Sequence, residues 1–183
     1  MSYWSTRIQI RQLAFYNGRI PTTSRPFSYY RRVFFNNQNP RTILDSLQGK
    51  KVVDIGCGYS PYSEDSMFSA CYNNGIEFFG VDPVVNQSIS FRPTDVLLAQ
   101  LTGGTGKYDI NAPGLKRAIS ASANNLPFLD NTIDMILSCW FIPIWIDTEE
   151  ELLADFAEIY RVLKVGGTIS LYPLPSWESL NIR

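Results

Sequence analysis

The chain has 183 residues, 45% of them hydrophobic, and a formal net charge of −1. That length suits one α/β domain rather than two, and no apolar run approaches the roughly 20 residues of a membrane span. Residues 1–11 mix Trp, Ser, Arg and Gln and do not read as a secretion signal. A soluble, cytoplasmic protein is expected.

Charge is unevenly placed. Residues 1–50 hold eight basic groups and one acid, net +7, whereas residues 51–183 carry net −8. A basic arm suits a nucleic-acid partner, or it folds back on the acidic body. Its aromatic content favours folding back, so no nucleic-acid partner is expected. Cys57, Cys71 and Cys139 form no C-x-x-C pair and the chain has no histidine. No metal site is expected, and the cysteines are read as reduced thiols in a core. Without histidine, proton transfer falls to a carboxylate, a tyrosine, a lysine or water.

In chain order, residues 5–17 fit a short helix capped by Ser5 or, through Ile8 and Ile10, a strand. Residues 18–26 are turn-rich. Residues 27–35 predict an aromatic, basic helix ended by Pro40, and residues 41–47 a second one. Residues 51–56 predict a buried strand leading into a glycine turn. A helix over 64–74, a strand over 76–82 and a helix over 94–101 follow, then a glycine-rich flap at 102–107. Short strands are expected at 118–123 and 133–139. Thr148 and Glu151 form a capping box. The helix they open has apolar residues at Leu152, Leu153, Phe156, Ile159, Tyr160 and Leu163 and is closed by Gly166-Gly167. The last expected strand is 168–172. Strands alternating with helices imply a parallel sheet covered on both faces.

The chemistry centres on Val52-Val53-Asp54-Ile55-Gly56-Cys57-Gly58. A strand ending in glycines lets a ligand approach the backbone where open α/β sheets bind ligands; the same glycines also serve a packed turn. Pro61 stands where the dinucleotide fingerprint wants Gly or Ala, and no G-K-[ST] is present. The site therefore suits a ligand without a pyrophosphate. Asp82, 26 residues after Gly56, can accept hydrogen bonds from both hydroxyls of a ribose.

Asp54-x-Gly56-x-Gly58, Gly80-Val81-Asp82, the run from Ala123 through Leu126-Pro127-Phe128 to Asp130, Ile133-Asp134, and Arg161-Val162-Leu163-Lys164-x-Gly166-Gly167 occur in register. This series resembles the class I S-adenosylmethionine (SAM)-dependent methyltransferases over residues 51–173. The resemblance implies an α/β fold with a doubly wound, mostly parallel Rossmann-like sheet, and SAM as cofactor. It implies that Gly56 and Gly58 line the methionine part, with Asp54 supporting their loop. Asp82 would hold the ribose and Pro83 would lie along the adenine. Ser122 stands where the family usually has an Asp for the adenine amino group, with the Ala123 backbone beside it. Ser138 and Trp140 would flank the methionine moiety and the reacting methyl.

Two expectations concern the ends. Residues 1–50 form an arm or lid and residues 51–183 the SAM-binding domain. In the arm, Tyr29 and Tyr30 offer aromatic faces to a sulfonium and Arg31 a guanidinium to the methionine carboxylate. Only eleven residues follow Tyr172, so the family's C-terminal strand hairpin is expected to be missing. A second copy, a partner subunit or the arm would then cover the open sheet edge. The run from Trp140 to Trp145 is a pocket wall or core. The leading functional expectation is methyl transfer to a small molecule. Alternatives are a cyclase or lyase that converts SAM itself, giving a four-membered amino acid ring and methylthioadenosine, and a non-catalytic methyltransferase-like subunit.

Overall fold

The computed structural model describes residues 24–85, 91–101, 103–146 and 148–174; the helix or strand expected at 5–17 lies outside them. Five strands form one parallel sheet: β1 (Lys51–Ile55), β2 (Glu77–Val81), β3 (Ala118–Ile119), β4 (Ile133–Cys139) and β5 (Leu163–Tyr172), in the order β3-β2-β1-β4-β5. β1 is central because its apolar residues serve both faces. Val52 packs into one cluster, and Val53 and Ile55 into the other. The chain steps from β1 outward to β2 and β3, then returns to β4 on β1's other side. The carboxyl ends of β1 and β4 therefore flank a topological switch point.

One face is covered by α1 (Phe27–Phe34), α2 (Pro40–Leu47) and α3 (Met67–Asn73). Tyr29, Tyr30, Ile43, Leu47, Met67, Phe68 and Cys71 share a cluster there with Val52, Phe78 and Leu137. The described part of the arm is thus a layer of the core. Its helices start for local reasons. Pro40 does not terminate α1, as expected, but opens α2 at a position where a missing N–H costs nothing, with the Asn39 side chain accepting from Arg41 N. Ser66 caps α3, which begins later than expected because Ser66 accepts from Ser69 N. α4 (Pro93–Leu101) precedes the region of Tyr108 and β3.

The other face is covered by α5 (Glu149–Val162), which opens on the expected capping box of Thr148 and Glu151. Two details differ from expectation. α5 ends at Val162, and Gly166-Gly167 lie inside β5, Gly166 at φ +81°. Pairing with β4 extends that strand past the glycines. The inward side of α5 is Asp155, Ile159 and Val162, while Leu153, Phe156 and Tyr160 point outward. Periodicity named one apolar stripe where the helix carries two. β3 is two residues long rather than six, since only Ala118 and Ile119 pair with β2. The three thiols are free and buried. Among the described residues no helix is long and apolar enough to cross a membrane.

Candidate functional site

Asp54 lies fully buried in β1, opposite Gly80 of β2 and Leu137 of β4. From α1, the Tyr30 hydroxyl donates to Asp54 Oδ2. Oδ1 is buried with no hydrogen-bond partner. Burial, with a smaller contribution from the nearby charge of Asp82, pushes the Asp54 carboxyl up to about 8, against the pull of the Tyr30 hydrogen bond. A buried carboxylate with one unmatched oxygen is costly.

Beyond Asp54 the chain turns through Gly56 (φ +77°) and Gly58 (φ +54°). These left-handed conformations favour glycine. A Cβ on Gly56 would meet Phe141 Cβ at 2.3 Å. The close approach at Gly56 is therefore made by the segment after β4. The glycine serves packing there as well as any ligand.

Asp82 closes the turn from the β2 side. Its Oδ2 accepts from Gly58 N and its Oδ1 from Val84 N, both at 2.9 Å. Burial raises its carboxyl and these two backbone donors lower it in part. Each oxygen keeps a second acceptor position, as a ribose would need. Pro83 is exposed beside it, its carbonyl accepting from Ser120 Oγ at 3.4 Å. Ser122 is exposed and donates to Asn124 Oδ1 at 2.7 Å, while Ala123 is buried in the second cluster.

The remaining candidates have structural occupations. Ser138 is fully buried, and its Oγ accepts from Ile142 N at 3.2 Å, bracing the turn after β4. Trp140 sits in that turn at φ +63° and donates through Nε1 to the Tyr29 hydroxyl at 2.6 Å; its backbone N–H donates to Tyr172 O at 2.6 Å. Tyr29 and Tyr30 do not present open ring faces as expected. Both are buried, and guanidinium carbons of Arg32 and Arg25 already lie 4.8 and 5.2 Å from the Tyr29 ring centroid. Arg31 Nε is buried without a partner, and so is Arg25 Nε. In the Trp140–Trp145 run, Ile142 and Ile144 are core.

Sequence reasoning missed Phe141, Arg25 and Cys139. Phe141 belonged to a run flagged only as a whole. Arg25 was hidden in the basic arm. Cys139 ends β4 close enough to feel the charges of Asp54 and Arg25, although burial is the main reason its thiol is pushed up.

The strand order and the turn at the switch point coincide with a direct family match. Residues 53–171 match the family model described as a methyltransferase domain. The chain belongs to the methyltransferase domain family. Among solved structures, it is similar to a SAM-dependent methyltransferase from Methanosarcina mazei (21% identity, 73% of this chain and 57% of that one, TM-score 0.43). It is also similar to one from Archaeoglobus fulgidus (16%, 78% and 55%, TM-score 0.39). A third is geranyl diphosphate C-methyltransferase from Streptomyces coelicolor A3(2), solved with Mg2+, geranyl diphosphate and S-adenosyl-L-homocysteine (21%, 71% and 43%, TM-score 0.41). The chain spans less than two thirds of the length of these structures. No curated protein matches.

Motifs outside the switch point have structural roles. Arg161 donates all five of its N–H bonds: Nε and one NH2 bond to Glu158, the others to the carbonyls of Phe128 and Leu126 and to Asp130. Leu126 N donates back to Glu158. The run from Ala123 to Asp130 and the Arg161 motif are thus one clasp tying α5 to the loop after β3. Asp134 likewise accepts from Lys164 Nζ at 2.7 Å and from Lys51 N at 2.8 Å, pinning the starts of β1, β4 and β5 together.

Proposed function

We propose that this chain is a SAM-dependent methyltransferase acting on a small molecule. The observation that carries this reading is the pair of carboxyl groups flanking the Gly56–Gly58 turn: Asp54 with an unmatched Oδ1, and Asp82 with two acceptor positions to spare. A molecule with an ammonium at one end and a vicinal diol further along answers both demands. SAM, when bound, supplies a methyl group already activated by a sulfonium leaving group.

In this reading Asp54 faces the ammonium, the backbone at Gly56 and Gly58 lies along the methionyl chain, and Asp82 holds the ribose. Pro83, Ser122 and Ala123 border the adenine. Arg31 or Arg25, each with a buried unpartnered Nε, meets the carboxylate. Trp140, held by Tyr29, and Ser138, through its turn, position the wall beside the reacting centre. Displacement at an activated carbon asks the protein for alignment and exclusion of water more than for a strong base, which fits a chain without histidine. The arm contributes by lying over the sheet.

A cleft of about 520 Å³ supports the small-molecule part of the reading. It is lined by Glu64, Asp65, Thr105, Lys107, Tyr108 and Asp109, a size within the range of small-molecule pockets. Tyr108 of its wall meets Tyr59, the residue after Gly58, edge-on with ring centroids 5.7 Å apart.

Mass-spectrometric product profiling with SAM, alone and with panels of small acceptors, tests the proposal. S-adenosylhomocysteine formed only with an acceptor is the expected result. Methylthioadenosine formed from SAM alone would replace it with the self-directed cyclase or lyase. Binding without turnover would favour the non-catalytic subunit.

A further inference from the structure

Arg25 joins the fold beside the glycine turn. Its backbone N–H donates at 3.0 Å to Oγ of the buried Ser60, and the preceding Ser24 donates to the Tyr108 hydroxyl at 3.1 Å. Its guanidinium carbon lies 5.2 Å from the ring centroid of Tyr29, whose hydroxyl holds Trp140. Burial raises the Tyr29 and Tyr108 hydroxyls and the Cys139 thiol, and the charge of Arg25 draws each partly back. One side chain thus acts both at the end of β4 and at the wall of the cleft of about 520 Å³ that Tyr108 helps to line.

That charge has no counter-ion among the described residues. One terminal nitrogen donates to the neutral carbonyl of Ser24 at 3.1 Å, and Nε is buried with no partner. No described carboxylate pairs with Arg25 or with Arg32, whose guanidinium carbon lies 4.8 Å from the same Tyr29 ring. The ring attracts both cations but carries no net charge to cancel them. An enclosed, idle N–H on a cation asks for an acceptor, and a carboxylate meets the guanidinium fork with two parallel bonds. The cleft has the opposite balance, with Glu64, Asp65 and Asp109 against Lys107. A second negative charge on the same ligand would be repelled there.

Resting on the SAM-dependent reading above, with Arg31 left to the methionyl carboxylate, we propose that Arg25 seats a carboxylate of the methyl acceptor and that the acceptor is a small monocarboxylic acid. The carboxylate docks on Nε and its neighbouring nitrogen, and the rest of the acceptor lies toward Tyr108. Arg25 fixes the acceptor's orientation, and the methylated atom is another atom of that molecule. A neutral analogue leaves the Arg25 charge unmatched. A dicarboxylate sets its second charge against Glu64, Asp65 and Asp109.

The test is a thermal-shift titration of the full chain saturated with S-adenosylhomocysteine, at constant ionic strength, in which the concentration dependence reports affinity. Acetate is compared with acetamide, and terephthalate with 4-carbamoylbenzoate, its monoanionic counterpart of the same shape. Acetate should bind at least about tenfold more tightly than acetamide, the usual worth of a charge-assisted bond, and 4-carbamoylbenzoate more tightly than terephthalate. Arg25→Met should abolish the preference for acetate and keep S-adenosylhomocysteine affinity. Arg25→Lys, which keeps the charge without the fork, should retain part of the preference. Equal binding of acetate and acetamide, or a preference that survives Arg25→Met, overturns the seat and leaves the cofactor reading intact. Loss of S-adenosylhomocysteine affinity in both variants gives Arg25 to the methionyl carboxylate and overturns it as well. An unaltered chain that binds neither SAM nor S-adenosylhomocysteine overturns both readings.

Discussion

Arg161 and Asp54 are charged-type side chains in the same sheet-and-helix frame with opposite accounts. Arg161, partly open to solvent, has every N–H matched by a carbonyl or carboxylate. Asp54, fully enclosed, has one oxygen matched by Tyr30 and one by nothing. Both residues belong to motifs on which the family resemblance rests, so the motif pattern alone does not separate them. Hydrogen-bond completeness does. A polar group whose partners are all within the chain is holding the fold together, and an enclosed one left incomplete is placed for something else.

The strongest way to break that division is at Gly56, where fold and site coincide. Gly56→Val adds a side chain at φ +77° and drives its Cβ into Phe141. A loss of about 3 kcal/mol or more in stability is expected, from combined strain and overpacking. Thermal unfolding checks it. A mutant that keeps its melting temperature and loses only SAM would return Gly56 to the ligand alone.

Asp82 sits between the two extremes, its oxygens each half used. Asp82→Ala should weaken SAM binding by about 1.5–3 kcal/mol, the usual cost of losing charged hydrogen bonds. It also frees Gly58 N and Val84 N, so a smaller loss of stability accompanies it. Calorimetry on the folded mutant measures the first effect, and unchanged affinity would remove Asp82 from the site.

Arg161→Ala should lower the melting temperature by a few degrees and leave SAM affinity of the folded protein unchanged. A lowered affinity with unchanged melting would put the clasp on the functional side. The smallest effect is expected at the Asp134–Lys164 pair, whose partners are both open to water. Lys164→Gln should cost at most about 1 kcal/mol, as exposed ion pairs do, and less at high salt. Denaturant unfolding at two salt concentrations resolves it.

Much of the fold was readable because it rests on local rules. The alternation of short apolar strands with helices, the capping box at Thr148 and the glycine turn after β1 each follow from side-chain chemistry over a few residues. The spacing of Asp54, Gly56, Gly58 and Asp82 likewise implied a ligand at the end of β1. Other assignments failed where a distant partner decided the outcome. β5 takes in Gly166-Gly167 as an unpaired irregularity because β4 pairs with Leu163 before them and with Thr168 onward after them, and α5 turns Asp155 inward while leaving Tyr160 outside because of how it meets the sheet. Whether a tyrosine is an open face or a buried strut cannot be seen from its neighbours in the chain. Tyr29 and Tyr30 were fixed as struts by Trp140 and Asp54, residues 111 and 24 positions away. Sequence determined which chemical groups this protein has and roughly where the strands deliver them. Only the tertiary structure decided which of those groups are already satisfied, because hydrogen-bond saturation and burial depend on contacts between segments that meet after folding.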